Sequence, residues 1–290
     1  MYELRIAPCS QQDVEALSEQ LEALGAVSVS MMDFEDMPIL EPGVGETPLW
    51  NKLIVHALFV DADEADEAKR CVQKNHAHTT QTIEVLPEQD WERVCLERFQ
   101  PIQFGLRLWI CPSWLTPPDK NAVNLILDPG LAFGTGTHAT TALCLAWLDQ
   151  HDLTHQTLID YGCGSGILAL ASLKLHAQHA YAVDIDDQAL LATAQNRDMN
   201  VISPHTLTIT HPEALNTTVD IIIANILLTP LLSLKETFHR LLKPQGKLVI
   251  SGIFTSQAQT LVDVYSNDFH LETMQTRDEW ALVELSLISS

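Results

Sequence analysis

The chain has 290 residues, of which 46% are hydrophobic and 19% charged, and this composition excludes disordered and fibrous proteins. Lys and Arg number 16 against 38 Asp and Glu, so the formal net charge is −22. This charge argues against a long contact with a nucleic-acid backbone, which needs clustered cations. It favours a basic partner, or serves solubility alone.

Other classes are excluded by what the sequence lacks. The most apolar segment, residues 219–234, contains Asp220, Asn225 and Pro230, so we expect no membrane span. The first ten residues lack the apolar stretch of a signal peptide. The six cysteines form no C-x-x-C pair and none has a His at zinc-finger spacing. We therefore expect no metal site and a reducing, cytoplasmic location.

The first 86 residues alternate short strands and helices. Strands are predicted over residues 2–7, 26–32, 52–60 and 81–86. Ser10 is predicted as the N-cap of the first helix, which Gly25 ends, and Asp61 opens the second helix. The order strand, helix, strand, strand, helix, strand predicts a small ferredoxin-like α+β domain over residues 1–86. This domain shows no catalytic constellation.

A helical connector follows over residues 88–99, within a predicted linker at 87–100. From residue 101 onward we expect a second domain, to residue 290. Strands are predicted at 107–111, 121–127, 157–161, 180–184, 207–210, 219–224, 247–253, 270–275 and 280–287. Between Leu153 and the last two strands, strand and helix alternate strictly, and one such helix is predicted to begin with Thr229 as N-cap and Pro230 as first residue.

The segment 219–224 is almost entirely apolar, as expected of a parallel strand covered on both faces. The last two predicted strands are joined by a short turn and therefore pair antiparallel. The fold class is accordingly α/β, with a doubly wound, Rossmann-like sheet that ends in an antiparallel hairpin.

At the end of the strand at 157–161 and just beyond it, the sequence reads Asp160-Tyr-Gly162-Cys-Gly164-Ser-Gly166. Glycines at such a turn let the backbone approach a nucleotide, with a helix N-terminus behind them. Gly164, Gly166 and Ala169 also fit the dinucleotide pattern loosely, which leaves a nicotinamide-dependent oxidoreductase as an alternative. Asp160 is unfavourable beside a pyrophosphate and suits a ligand that carries an ammonium and a sulfonium.

Two further polar residues close strands of the same sheet. Asp184 lies about twenty residues on, where an acid binds ribose hydroxyls in Rossmann folds. Its alternative role is to cap the next helix, although Asp186 and Asp187 are available for that. Asn225 ends the fourth strand at the ligand-binding edge, and its alternative role is that of a turn residue.

A second glycine-rich loop, residues 128–141, precedes this fold. It has neither the spacing nor the Lys of a Walker A loop, so it is predicted to form a lid or a wall, with Thr140 and Thr141 opening a helix. His138 is a candidate base, but a lone histidine is more often structural.

Four segments, 108–114, 128–141, 160–166 and 224–227, closely resemble the ribosomal protein L11 methyltransferase family, and the resemblance extends over nearly the whole chain, including Glu41, Gly45 and Trp50. It implies a class I methyltransferase that uses S-adenosylmethionine to methylate lysine side chains and the N-terminal amine of a basic protein at the ribosomal stalk base. It also implies an N-terminal substrate domain, a linker helix and a C-terminal catalytic domain.

By this resemblance, together with the glycine motif, the following residues are expected to contact the cofactor: Thr141, Asp160, Gly162, Gly164, Gly166, Asp184 and Asn225. Asn225 is also expected to orient the amine, and Trp280, on the terminal hairpin, to wall the transfer site. We expect a monomer that binds neither nucleic acid nor membrane. A methyltransferase acting on another amine or on nucleic acid, and a non-catalytic cofactor-binding module, stay open as alternatives.

Overall fold

The computed structural model describes residues 1–35, 47–87, 99–128 and 138–288. The chain divides into two compact units, Met1–Cys95 and Leu96–Ser290. The predicted connector helix, apart from Phe99, and the residues 41–46 lie outside the described part, and the domain boundaries at 86 and 101 stay predictions. None of the described helices combines the length and the apolar character needed to span a bilayer.

The N-terminal unit is an antiparallel sheet with two helices. Its elements are β1 (Tyr2–Ser10), α1 (Val14–Ala23), β2 (Ser28–Asp33), β3 (Lys52–Phe59), α2 (Ala62–Asn75) and β4 (Thr80–Val85). The strands lie in the order β2-β3-β1-β4. Alternate strand residues such as Leu4, Val55 and Ala57 form one buried cluster with Leu17 and Val72 of the helices. The element order is the predicted one, while the ferredoxin-like assignment stays a prediction.

The predicted caps of these helices have different outcomes. Asp61 does cap α2, because its Oδ1 accepts the backbone N–H of Asp63 at 2.7 Å. Ser10 as N-cap of α1 is wrong: β1 continues through Ser10, and Asp13 is the residue before the helix. The hydroxyl of Ser10 instead donates to Asp13 Oδ2 at 2.7 Å. Gly25 follows the end of α1 with a φ of +96°, as a C-terminal glycine does.

The C-terminal unit begins with a small sheet of three strands, one of which the sequence did not predict. They are β5 (Ile102–Phe104), β6 (Leu108–Cys111) and β7 (Val123–Ile126). The unpredicted strand, β5, has only three residues, too few for an alternating pattern to show.

A seven-stranded sheet forms the body of this unit, in the order β10-β9-β8-β11-β12-β14-β13. The strands are β8 (Thr157–Tyr161), β9 (His179–Val183), β10 (Leu207–Thr210), β11 (Val219–Asn225), β12 (Leu242–Phe254), β13 (Phe269–Arg277) and β14 (Trp280–Leu287). The helices are α3 (Ala139–Gln150), α4 (Ile167–Lys174), α5 (Asp187–Met199), α6 (Leu228–Ser233), α7 (Lys235–Leu241) and α8 (Thr255–Tyr265). β8 to β12 are parallel, and β13 and β14 form the antiparallel hairpin. The predicted doubly wound sheet is confirmed.

The apolar strand β11 separates two buried cores. Ile221 and Ile223 belong to the cluster that contains residues of α3 and α4. Ile222 and Ala224 belong to the cluster that contains residues of α6, α7 and α8. Because successive side chains of a strand point to opposite faces, a strand covered on both faces needs apolar residues throughout.

The prediction of a helix with Thr229 as N-cap and Pro230 as first residue is wrong in two respects. α6 begins at Leu228, with Leu227 before it, so Pro230 is the third helical residue. That position is tolerated because the first-turn N–H groups have no partner within the helix. The helix also breaks at Leu234, with φ −87° and ψ −1°, before α7 resumes.

Candidate active site

Three glycines shape the turn between β8 and α4. Gly162, Gly164 and Gly166 have φ of +79°, +53° and +77°, which side-chain-bearing residues rarely adopt. A Cβ on Gly162 would lie 2.3 Å from Ile226 Cγ2, and one on Gly166 would lie 2.6 Å from Thr193 Cγ2. The turn therefore requires glycine for both conformation and space. It brings backbone amides and the start of α4 to the carboxyl edge of the sheet.

Asp184, directly after β9, lies against this turn. Its Oδ2 accepts the N–H of Gly164 at 2.9 Å, and its Oδ1 accepts the N–H of Asp186 at 3.1 Å. Asp186 caps α5 by accepting the N–H of Gln188 at 2.9 Å. The helix cap is thus supplied by Asp186, and the half-buried carboxylate of Asp184 stands beside the glycines.

Asp160 lies beneath the turn and is 1% exposed. Its Oδ2 accepts the N–H of Ala169 in α4 at 2.9 Å, so it ties the turn to the helix that follows. Burial raises the pKa of Asp160 to about 7; the Ala169 hydrogen bond opposes this shift, and the negative Asp184 adds to it. Two acids thus give this edge of the sheet a negative potential.

Asn225 and Thr141 meet although they lie far apart in the sequence. Asn225 Nδ2 donates to Thr141 Oγ1 at 3.2 Å. Thr141 is 3% exposed in the first turn of α3, and Asn225 ends β11, next to the strand that carries the glycine turn. Among the described residues, no group donates to Asn225 Oδ1, which leaves an acceptor at the edge of the sheet.

Trp280 forms an aromatic cluster with two residues that sequence reasoning did not assign to it. Its ring stacks on Phe254 at a centroid distance of 4.2 Å and contacts His138 edge-on at 4.7 Å. Trp280 and Phe254 are paired across β14 and β12. His138 is the N-cap of α3, and its Nδ1 accepts the N–H of Thr140 at 3.4 Å. This cap favours the structural role for His138 over that of a base.

The glycine-rich loop before α3 is anchored at its described end. Asp128 Oδ1 accepts the N–H of Ser113 at 2.6 Å, and Oδ2 accepts its hydroxyl at 2.8 Å. Two of the segments that carry the resemblance, 108–114 and 128–141, are therefore joined by hydrogen bonds. Residues 129–137 lie outside the described part.

The arrangement favours binding and positioning over nucleophilic catalysis. Cys163, inside the glycine turn, is 5% exposed, and its pKa is raised by burial and by the charge of Asp160, so it is a poor nucleophile. The glycine turn, Asp160, Asp184 and Asn225 instead lie together at the carboxyl edge of the sheet. The sheet edge is the one at which open α/β folds bind ligands.

Comparison with known proteins gives matches along nearly the whole chain. The family model described as Ribosomal protein L11 methyltransferase (PrmA) matches residues 1–287. A ribosomal protein L11 methyltransferase of Legionella pneumophila (strain Lens) is 50% identical over 282 residues, covering 97% of this chain and 98% of that protein. A protein of the same name from Histophilus somni (strain 2336) is 48% identical over 278 residues, covering 94% of each.

A solved structure supports the fold. The ribosomal protein L11 methylase from Lactobacillus delbrueckii subsp. bulgaricus is 30% identical and aligns with a TM-score of 0.61. The alignment covers 66% of this chain and 100% of that one.

Proposed function

The chain belongs to the ribosomal protein L11 methyltransferase family, and from this premise we propose that it transfers methyl groups from S-adenosylmethionine to amines of ribosomal protein L11. The amines are those of lysine side chains and of the N-terminus. The observation that carries the proposal is the meeting, at one sheet edge, of the glycine turn, Asp184 and the Asn225–Thr141 pair.

The residues present fit this cofactor. Gly162, Gly164 and Gly166, with φ between +53° and +79°, form a turn without side chains of its own, the kind of turn whose backbone a ligand can approach closely. Asp184 supplies carboxylate oxygens for ribose hydroxyls, and buried Asp160, whose pKa is about 7, supplies negative charge for a cation in its ionised form. Thr141, Gly164 and Asn225 complete the proposed cofactor site.

The bound cofactor supplies a methyl group that its sulfonium has already activated. A free lysine has a pKa of about 10.4, so only a few parts in ten thousand are neutral at pH 7. Removal from water lowers that pKa, and so does a neighbouring cation. Asn225 Oδ1 would accept an N–H of the substrate amine and so help to orient its lone pair for attack on the methyl group that the cofactor would supply. Trp280, stacked on Phe254, forms one wall of the proposed transfer site. Water takes the proton that the amine loses.

A nicotinamide-dependent reaction is disfavoured by the same contacts. The N–H of Gly164, which a pyrophosphate would need, is held by Asp184. The charges of Asp160 and Asp184 would also repel a pyrophosphate.

We further propose that the N-terminal unit holds L11 and that the protein acts as a monomer in the cytoplasm, where ribosomes are assembled, without contacting nucleic acid itself. The net charge of −22 favours encounter with a basic protein.

Titration calorimetry with S-adenosylhomocysteine and with NADH tests the cofactor assignment. We expect S-adenosylhomocysteine to bind and NADH to give no saturable heat. Label from methyl-labelled S-adenosylmethionine should then appear in purified L11. Binding of NADH alone, or cofactor binding without transfer of label to L11, would contradict the proposal.

A further inference from the structure

Three potential metal ligands meet in the N-terminal unit, away from the glycine turn. Asp13, His76 and His78 each offer one ligand atom, and these atoms lie within 4.8 Å of one another. Asp13 precedes α1, and the two histidines follow α2, so the start of one helix meets the end of the other. Ligands from two distant segments leave no short spacing pattern in the sequence.

Hydrogen bonds hold the backbone of both segments. Ser10 Oγ donates to Asp13 Oδ2 at 2.7 Å and accepts the N–H of Asp13 at 3.3 Å. The carbonyl of His76 accepts the N–H of Thr79 at 3.0 Å and its hydroxyl at 2.9 Å. The Ser10 contact is of the kind that orients a metal-binding carboxylate from outside the ligand set.

We propose that Asp13, His76 and His78 form a binding site for Zn²⁺ that joins the ends of α1 and α2. Two imidazoles and a carboxylate are ligands that zinc takes, with water in the remaining position. Zinc bonds of about 2.0–2.1 Å place ligand atoms roughly 3.3 Å apart in a tetrahedron, so the ligand atoms have to approach one another by at most about 1.5 Å. Asp13 and His78 are exposed, so their side chains can adjust without displacing a packed core. This site is independent of the proposed methyl transfer.

Titration calorimetry of the full chain with zinc chloride tests the site. We expect Zn²⁺ to bind, and Asp13→Asn and His78→Gln each to weaken that binding at least tenfold, as loss of a ligand contact does. Mg²⁺, which prefers an octahedral shell of oxygens, should give no saturable heat. His205→Gln, at an exposed histidine in the other unit, is the matched control and should leave Zn²⁺ affinity unchanged.

Thermal unfolding supplies a second readout. Zn²⁺ should raise the unfolding temperature of the wild type and of His205→Gln, but not of His78→Gln, because a ligand stabilises only the state that binds it. Far-ultraviolet circular dichroism and unchanged affinity for S-adenosylhomocysteine would show that the variants fold. Absence of Zn²⁺ binding in the wild type, or equal binding by folded His78→Gln and Asp13→Asn, would overturn the proposal.

Discussion

Asp160 lies near the end of β8 and Asp184 directly follows the neighbouring parallel strand β9, yet the structure gives them different environments. Asp160 is buried beneath the glycine turn, whereas Asp184 is half buried with two backbone N–H donors at its oxygens. Burial penalises the charge of Asp160 and raises its pKa, while Asp184 keeps contact with water. The two acids therefore contribute differently: one sets the local potential, and the other offers oxygens to a ligand.

Replacing Asp184 tests its proposed contact with ribose. Asp184→Ala should weaken binding of S-adenosylhomocysteine at least tenfold, about 1.4 kcal/mol, because two hydroxyl contacts lose their acceptor. Calorimetry measures the affinity, and urea denaturation checks that the protein stays folded. Asp187→Ala, at the exposed start of α5, should bind the cofactor normally. Unchanged affinity in Asp184→Ala would remove the ribose assignment.

The raised pKa of Asp160 predicts a pH-dependent cost to stability. The native pKa of about 7 exceeds the unfolded value of about 3.9, so the native state binds more protons between them. The wild type should therefore lose stability as the pH rises from about 4 to about 7, by a few kcal/mol at about 1.4 kcal/mol per pKa unit.

Asp160→Asn carries no charge to bury and should lack that loss. Urea denaturation across this pH window should show the variant gaining stability relative to the wild type as the pH rises, and a constant difference above it. Asp187→Asn should follow the wild type. Parallel curves for Asp160→Asn and wild type would mean that burial of the charge at Asp160 is not costly.

At the residue scale, the sequence predicted those site residues that follow a simple positional rule. Asp184 and Asn225 end parallel strands, and the glycines carry a recognisable spacing. Phe254 and His138 were not assigned to the aromatic cluster, since their meeting with Trp280 depends on strand register and on the start of α3. The burial of Asp160 could not be predicted either, because it depends on how α4 packs over the turn.

Glu284 joins several elements of the large sheet at a buried point. It is 4% exposed on β14, and its Oε2 accepts from Trp147 Nε1 at 3.0 Å and from Thr273 Oγ1 at 3.2 Å. Lys247 Nζ lies 2.5 Å from its Oε1. Burial acts to raise the pKa of Glu284, but the bonds from Lys247 and Trp147 lower it below its ordinary value. The contact stabilises the hairpin against α3 and β12.

Removing the positive charge of Lys247 should destabilise the C-terminal unit. Lys247→Met leaves a buried carboxylate short of one partner and should reduce the free energy of unfolding by about 2 kcal/mol at neutral pH. Because the native pKa is lowered, the stability that Glu284 confers is present above its unfolded pKa of about 4.3 and is lost as the pH falls through the native value. Urea denaturation measures both effects. Lys120→Met, at an exposed lysine, should change stability little, and an equal loss in both variants would refute this role.

At the element scale, periodicity predicted the long elements and missed local breaks. β8, β10 and β14 have the predicted bounds, because their apolar patterns end at clear turns. The break between α6 and α7 at Leu234 has no signal in its apolar spacing, which continues on one helical face. Ser10 likewise satisfies the capping preference, but the continuation of β1 moves the helix start to Asp13.

At the scale of the whole molecule, we propose that one unit recognises L11 and that the other carries out methyl transfer. The glycine turn, Asp184, Asn225 and Trp280 all lie in the C-terminal unit. The N-terminal unit has its own sheet and buried cluster. The net charge follows from composition alone. The unit that binds L11 cannot be predicted in that way, because binding also depends on the surface of L11, which is not part of this sequence.

Deletion of residues 1–86 tests this division of labour. The shortened chain should still bind S-adenosylhomocysteine, because every proposed cofactor contact remains. It should no longer methylate L11. Calorimetry and label transfer measure the two properties, with the full chain as reference. Methylation of L11 at the full-chain rate would contradict the assigned role of the N-terminal unit.

The most direct test of the central claim is mass spectrometry of L11 after incubation with this protein and S-adenosylmethionine. We expect intact L11 to gain mass in whole methyl increments, and fragmentation to place them on lysine side chains and on the N-terminal amine. Unmodified L11 in the presence of enzyme that binds S-adenosylhomocysteine, or methyl groups on other atoms, would contradict it.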